Sequence, residues 1–104
     1  MDNDAIHDMF EGLGPVTIRR MFGGKGIYHQ GRILALEVDG ETLLKADAKS
    51  ADAFLAAGSR QWVYEGKNKP AKMPYWSIPD EALDDPDEMK KWVMLAWEAA
   101  LRAK

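Results

Sequence analysis

The stretch RILALEVDGETLLKA, Arg32 to Ala46, carries the strongest structural signal in the sequence. Asp39-Gly40 is typical of a two-residue β-turn, because both central positions of that turn need a positive φ. The flanking segments, Arg32 to Val38 and Thr42 to Ala46, contain alternating apolar residues, as expected for strands. The stretch therefore predicts an antiparallel hairpin.

Two more strands are predicted upstream of this hairpin. Val16 to Phe22 and Gly26 to His29 are strand-like, with Gly23-Gly24 between them. Gln30-Gly31 is a turn candidate before the next strand. Four strands joined by short turns predict an antiparallel meander.

Helical patterns lie before, between and after the predicted strands. Apolar residues recur at helical spacing from Asn3, a candidate N-cap, to Gly12, and again from Ser50 to Ala57. A last helix is predicted to begin after Asp85, the N-cap, with Pro86 at its first position. It carries an apolar stripe that must pack on the sheet. The stripe consists of Met89, Trp92, Val93, Ala96, Trp97, Ala100 and Leu101.

Gln61 to Gly66 and Met73 to Ile78 predict a further strand pair. Pro74 places the second of these strands at an edge or beside a bulge. The predicted order is helix, four-strand meander, helix, two strands and a long C-terminal helix. This order predicts an α+β fold with an antiparallel sheet of about six strands and helices packed on it. The length of 104 residues fits one domain, residues 1–104.

Composition excludes several functional classes. The chain has no cysteine, which removes disulfides, thiolate nucleophiles and cysteine-bound zinc. The formal net charge of −3 is not that of a dedicated nucleic-acid binder. There is neither an apolar run long enough to span a bilayer nor a signal-peptide pattern, so we expect a cytoplasmic protein with no membrane partner.

The glycine-rich stretch RRMFGGKGIY, Arg19 to Tyr28, allows two interpretations. A phosphate-binding loop needs Ser or Thr after the lysine and a helix behind it, but Lys25 is followed by Gly26 and a strand pattern. The stretch therefore favours a structural turn. Arg19 and Arg20 must face opposite sides of their strand, and one of them is expected to reach a rim or to pair with a carboxylate such as Glu37. The candidate turn glycines are Gly23, Gly24 and Gly26.

A second basic stretch lies between Arg60 and Lys72, with four basic side chains and one acidic one. If this connection lies near the arginine pair, the molecule has a basic end. Basic groups beside aromatic ones bind single-stranded nucleic acid by stacking. The favoured interpretation is that the aromatic residues are cross-strand core pairs. The aromatic residues concerned are Trp62, Tyr64, Tyr75 and Trp76.

No catalytic or metal-binding pattern emerges. His7 and His29 are far apart in sequence and lack the companion ligands that zinc requires. The acidic run from Asp80 to Glu88 is best interpreted as a solvated helix start, because acid–base catalysis needs an environment that shifts a pKa. We therefore expect no enzyme activity, no cofactor and no metal.

Three groups of residues together resemble the N-terminal domain of the TfoX/Sxy family. The first is the Arg-x-Met-Phe-Gly-Gly-x-Gly run, matched by Arg19, Met21, Phe22, Gly23, Gly24 and Gly26; the second is Leu43, Leu44, Lys45, Ala46 and Asp47; the third is Met73, Tyr75, Trp76 and Pro79. The resemblance covers nearly the whole chain. It implies an α+β domain in a bacterial, cytoplasmic setting. It further implies regulation of competence genes together with a CRP-type transcription factor, and it supplies no catalytic residues.

Three functions stay open from sequence. The first is a non-enzymatic interaction module that acts through a protein partner in transcription regulation. The second is direct binding of nucleic acid through the basic end. The third is a small-ligand binder or enzyme with a pocket at the glycine-rich turn. The candidate interaction residues are Arg19, Arg20, Lys25, Lys67, Lys69, Lys72, Tyr75 and Trp76.

Overall fold

A computed structural model describes residues 2–21, 23–65 and 69–103. The described elements are α1 (Asn3–Met9), β1 (Thr17–Met21), β2 (Gly24–His29), β3 (Arg32–Val38), β4 (Glu41–Lys45), α2 (Ala51–Ala56), β5 (Gln61–Glu65), β6 (Pro70–Ser77), α3 (Asp80–Leu83) and α4 (Pro86–Arg102). The predicted α+β class and the predicted order of elements are confirmed. The short helix α3, which lies within the acidic run, was not predicted.

The six strands form one antiparallel sheet in the order β1-β2-β3-β4-β6-β5. The four-strand meander is therefore confirmed. Val38 pairs with Glu41 across the turn between β3 and β4, where Asp39 and Gly40 have φ values of 52° and 81°. Positive φ at both positions is what the Asp-Gly signal predicts. Strand β6 lies between β4 and β5, so Pro74 is not on an edge strand.

Two irregularities set the faces of the sheet. In β3, Ala35 pairs with Ile27 and Ile33 pairs with Tyr28, so Leu34 is an extra, bulged residue. The pairing between β5 and β6 is also shifted, in the part of β6 that contains Pro74. Because Pro cannot donate a hydrogen bond to the ladder, we expected Pro74 beside a bulge, and this expectation is confirmed.

The main core lies between the helices and one face of the sheet. Ile6 of α1, Phe54 of α2, Ala82 of α3 and Trp92 of α4 all belong to it. The rings of Phe54 and Trp92 have centroids 4.9 Å apart. All described helices therefore cover the same face, and the apolar stripe of α4 packs on the sheet as predicted.

The helix ends are held by specific contacts. The N-cap of α1 is Asp2, whose Oδ1 accepts from the Ala5 amide at 2.8 Å, and not Asn3 as predicted. The physical reason is that the Asp2 side chain, one residue earlier, reaches the amide of the first turn. The N-cap of α4 is Asp85, as predicted, and it accepts from the Asp87 and Glu88 amides.

No helix among residues 2–21, 23–65 and 69–103 is long and apolar enough to cross a membrane.

Candidate functional site

The side of the sheet opposite the helices is apolar, and we call it the open face. It carries a second hydrophobic cluster that is separate from the main core and draws all of its members from strands. Its members are Met21, Ile33, Leu36, Val38, Leu43, Trp62, Met73 and Tyr75. No described helix contributes a residue to this cluster. Leu36, Leu43 and Tyr75 are buried among their neighbours on this face, and the other members are partly buried. An apolar sheet face that no described helix covers is a candidate binding surface.

The bulge in β3 builds the open face. It turns Leu34 and Ala35 together toward the main core, while Ile33 and Leu36 go to the second cluster. Gly26 of β2 then leaves room above the sheet, since a Cβ there would lie 2.6 Å from the Met21 sulfur. The glycine allows the Met21 side chain to lie flat across β2.

A groove of about 230 Å³ runs across the open face. One wall comes from the β1–β3 side and the other from the β5–β6 hairpin. The lining residues are Met21, Ile33, Leu36, Trp62, Tyr64, Met73 and Tyr75. Trp62 and Tyr64 contact each other edge to face, with ring centroids 5.9 Å apart. Tyr64 remains 46% exposed, so the hairpin wall presents an aromatic surface to solvent.

Two cations lie against aromatic rings at the margin of the groove. The Lys45 ammonium is 5.7 Å from the centroid of Tyr75, and the Arg19 guanidinium is 5.2 Å from that of Tyr28. Burial lowers the pKa of the Lys45 ammonium, and the charge of Asp47 partly opposes this. Burial also raises the pKa of the Tyr75 hydroxyl, and the nearby Tyr28 raises it further. Tyr75 is 7% exposed, so water is partly excluded at this margin.

The open face has a cationic excess. Strand alternation and register place three charged strand residues on this side of the described sheet: Arg19, Lys45 and Glu41. Glu41 accepts a 2.8 Å hydrogen bond from the Arg60 guanidinium. The acidic charge of the face is thus already paired.

Two of the eight predicted interaction residues, Arg19 and Tyr75, lie on the open face. Trp76 points to the opposite side, where it is 8% exposed in the main core with its ring centroid 6.4 Å from that of Phe54. The interpretation of the aromatic residues as core therefore holds for Trp76, and it also holds for Tyr75, which is buried at 7% exposure in the second cluster. Trp62 is a partly buried member of the same second cluster.

The remaining basic candidates do not come together. Arg20 pairs with Lys25 at the β1–β2 turn, on the side of the sheet that the helices cover. Lys72 lies on β6 and Lys69 precedes it, at the opposite end of the sheet near the other edge. Strand spacing and rise put Lys25 and Lys72 about 14 Å apart across the strands and about 20 Å along them. Lys67 lies outside the described residues.

Of the three glycines predicted to form a turn, Gly23 lies between β1 and β2, whereas Gly24 and Gly26 lie within β2, because the strand begins two residues earlier than the sequence indicated. Residues 22 and 23 connect β1 to β2, and Gly23 has a φ of 74°; Phe22 lies outside the described residues. Beside the turn is an open hollow of about 510 Å³ whose lining includes Arg20, Lys25 and Glu37. The Lys25 ammonium donates to Asn3 Oδ1 at 2.8 Å. In the strand register, Lys25 lies between Arg20 of β1 and Glu37 of β3.

The histidines take separate places. His7 is exposed on α1. His29 is buried, with Nδ1 2.6 Å from the Pro15 carbonyl oxygen and its ring edge-on to Trp97. This geometry ties His29 to packing. In the part of the chain that the structure describes, no three His, Asp or Glu side chains are grouped to hold a metal ion.

Sequence reasoning missed two functional candidates, Met73, which lines the groove, and Lys45, which lies at its margin. Both fall within the segments that carry the family resemblance, but nothing in their spacing indicates a shared surface. The signal that was available is the period-two placement of Trp62, Tyr64, Met73 and Tyr75, which puts each pair on one side of its strand.

Comparison with known proteins identifies one family. The family model described as the TfoX N-terminal domain matches residues 8–100. The match contains all six strands and every residue of the open face. A comparison with curated proteins finds no match.

Proposed function

The chain belongs to the TfoX N-terminal domain family, and from this premise we propose that it is a non-enzymatic regulatory module that binds a protein partner through its open face. We place its action in transcription regulation in the bacterial cytoplasm, as the resemblance to TfoX/Sxy competence regulators implies. A CRP-type transcription factor is the first candidate partner.

The observation that carries this proposal is the uncovered groove. The centres of protein interfaces are rich in Tyr, Trp, Met and Arg and poor in carboxylates. The groove is lined by Trp62, Tyr64 and Tyr75 together with two methionines. Such aromatic anchors supply most of the binding free energy at protein interfaces.

The distribution of polar groups supports a binding role over catalysis. The described carboxyl with the most strongly lowered pKa is Asp47, which forms a two-point ion pair with Arg102. That pair joins two structural elements and lies apart from the groove lining. Lys45 and Tyr75 have shifted pKa values, but the groove beside them is lined by apolar and aromatic groups. This arrangement favours recognition of an apolar surface.

Direct nucleic-acid binding is the second candidate, because the exposed ring of Tyr64 and the partly buried ring of Trp62 lie on the same face as Arg19. Stacking of bases on Trp62 and Tyr64 would give sequence-tolerant binding of single strands. Charge argues against it, since binding nucleic acid requires several phosphate contacts. The open face offers Arg19 and Lys45, while the other described basic candidates are elsewhere.

Site-specific photo-crosslinking in bacterial cells tests the proposal. A benzophenone amino acid placed at Tyr64 lies on the open face, and the same group placed at Leu55, which is 64% exposed on α2, serves as the matched control. We expect Tyr64 adducts with a discrete protein that resist nuclease and are absent at Leu55. Mass spectrometry of the adduct should identify a component of the transcription machinery.

Two outcomes would contradict the proposal. If the adducts at Tyr64 disappear with nuclease, the open face binds nucleic acid and not a protein partner. Equal adduct patterns at Tyr64 and Leu55 would mean that the open face does not select a partner.

A further inference from the structure

We infer that the groove of the open face receives a large apolar anchor residue from an acidic segment of the partner, and that Lys45 pairs with a carboxylate beside that anchor. This inference rests on the proposed function and names the chemistry of the partner's docking segment.

The size of the groove sets the kind of occupant. Its volume of about 230 Å³ is below the roughly 300–1,000 Å³ of pockets that hold drug-sized ligands. A groove of this size suits one or two large side chains. Met21 and Met73, on opposite walls, are flexible and polarizable, so the walls adapt to different anchor shapes. Trp62 and Tyr64 give a rigid aromatic contact to an incoming side chain.

The charges at the groove select an acidic segment. The Lys45 ammonium lies 5.7 Å from the ring centroid of Tyr75, which lines the groove, so a carboxylate paired with Lys45 would lie close to an anchor in the groove. The nearby carboxyl of Asp47 is held by Arg102, with Nε 2.6 Å from Oδ2 and Nη2 2.9 Å from Oδ1. The Lys45 ammonium is partly desolvated by burial, which lowers its pKa. An incoming carboxylate would compensate that loss of hydration.

The same charges disfavour pairing of the open face with itself. In a two-fold dimer each copy presents the same patch, so Arg19 and Lys45 of one chain would face the like charges of the other. The carboxylate on the face, Glu41, is already bonded to Arg60. Charge complementarity therefore points to a partner segment that carries Asp or Glu and not to a second copy.

The test is a selection from a phage-displayed library of random 16-residue peptides on the immobilised full chain. Wild type, Lys45→Gln, Trp62→Ala and Tyr64→Ala are the targets. Lys91→Gln is the matched control, because the Lys91 ammonium also lies over an aromatic ring, that of Trp92 at 5.1 Å, but on α4. Circular dichroism and thermal melting establish that each variant folds.

We expect the peptides enriched on wild type to contain a large apolar residue within a few positions of Asp or Glu. A synthetic copy of an enriched peptide should bind Lys45→Gln about fivefold more weakly. It should bind Trp62→Ala or Tyr64→Ala about thirtyfold more weakly, and Lys91→Gln as it binds wild type. A further variant, Lys45→Glu, should lose the peptide, and replacing the acidic residue of the peptide by Lys should restore the binding, a rescue that a purely structural role for Lys45 would not produce.

Enriched peptides without acidic residues, or equal affinity for Lys45→Gln and wild type, would overturn the inference. The proposed function would survive that result if the Tyr64 crosslink still captures a protein. Failure to enrich any peptide on wild type over Trp62→Ala, together with no protein crosslink at Tyr64, would overturn both.

Discussion

At the scale of one residue, Gly24 shows that the glycine-rich stretch has a role in packing the strands. Its φ is not in the left-handed region, unlike that of Gly23, so conformational freedom is not what this position requires. A Cβ added to Gly24 would instead overlap the Glu37 carbonyl oxygen of β3. Because a backbone oxygen inside a sheet cannot move aside cheaply, the close approach of β2 and β3 depends on this glycine.

Gly24→Ala should therefore destabilise the fold by about 3 kcal/mol. Gly31→Ala is the control. Gly31 has a φ of 79° and open space around it. Gly31→Ala should therefore lower the free energy of unfolding only through the cost of a positive φ for alanine, about 1 kcal/mol. Urea unfolding of both variants measures the difference. Equal losses of stability, or a Gly24→Ala protein as stable as wild type, would contradict the close approach.

The faces of individual residues were predicted unevenly. Opposite facing of Arg19 and Arg20 followed from strand geometry and is what the register shows. The run Ile33 to Leu36 is wholly apolar, so its sequence does not reveal which residue is the bulge. The position of the bulge depends on the register of β3 against β2, which the sequence of β3 alone does not determine. The open face was therefore invisible until the register was known.

At the scale of elements, α4 is fixed to the sheet at its C-terminal end by two arginines. Arg32 of β3 donates to the Ala100 and Ala103 carbonyl oxygens, which lie where the helix leaves carbonyls without partners. Arg102, in the last turn, forms the two-point pair with Asp47, which follows β4. The hydrogen bonds from Arg102 hold the pKa of the Asp47 carboxyl well below its usual range.

This pair predicts a pH dependence of stability. A carboxyl with a lowered folded pKa contributes stability that is complete above its unfolded pKa, about 4, and is lost as the pH falls further. Wild type should therefore lose thermal stability below about pH 4 more steeply than Asp47→Asn. Arg102→Gln should likewise lose less thermal stability than wild type below about pH 4. The double variant Asp47→Asn, Arg102→Gln should behave like each single variant. Parallel melting curves for wild type and Asp47→Asn between pH 2 and 7 would disprove this role.

At the scale of the whole molecule, the meander and the closing helix were predictable from local signals. Turn residues, strand alternation and the Asp85 cap each act over a few positions. The order of the last two strands was not predictable, because pairing of β6 with β4 joins distant segments. That order separates Lys69 and Lys72 from Arg20 and Lys25, so a basic end inferred from sequence does not assemble among the described residues.

The described part of the chain is thus two-sided, with helices on one face of the sheet and, on the other, an apolar face that none of these helices covers. We expect the open face to carry the proposed regulatory function independently of fold stability. The variant that removes its aromatic wall is the double substitution Trp62→Ala, Tyr64→Ala, and its matched control is Leu55→Ala, at an exposed position on α2.

The most direct measurement is the transcript profile of the bacterium that encodes the protein, compared among wild type, a gene deletion, the double variant and Leu55→Ala. Each variant is first shown by immunoblot to accumulate to the wild-type level. If the open face carries the proposed function, the double variant should have the same transcript profile as the deletion, and Leu55→Ala should have the same profile as wild type. If the deletion changes the transcript profile and the double variant does not, the open face does not carry the function.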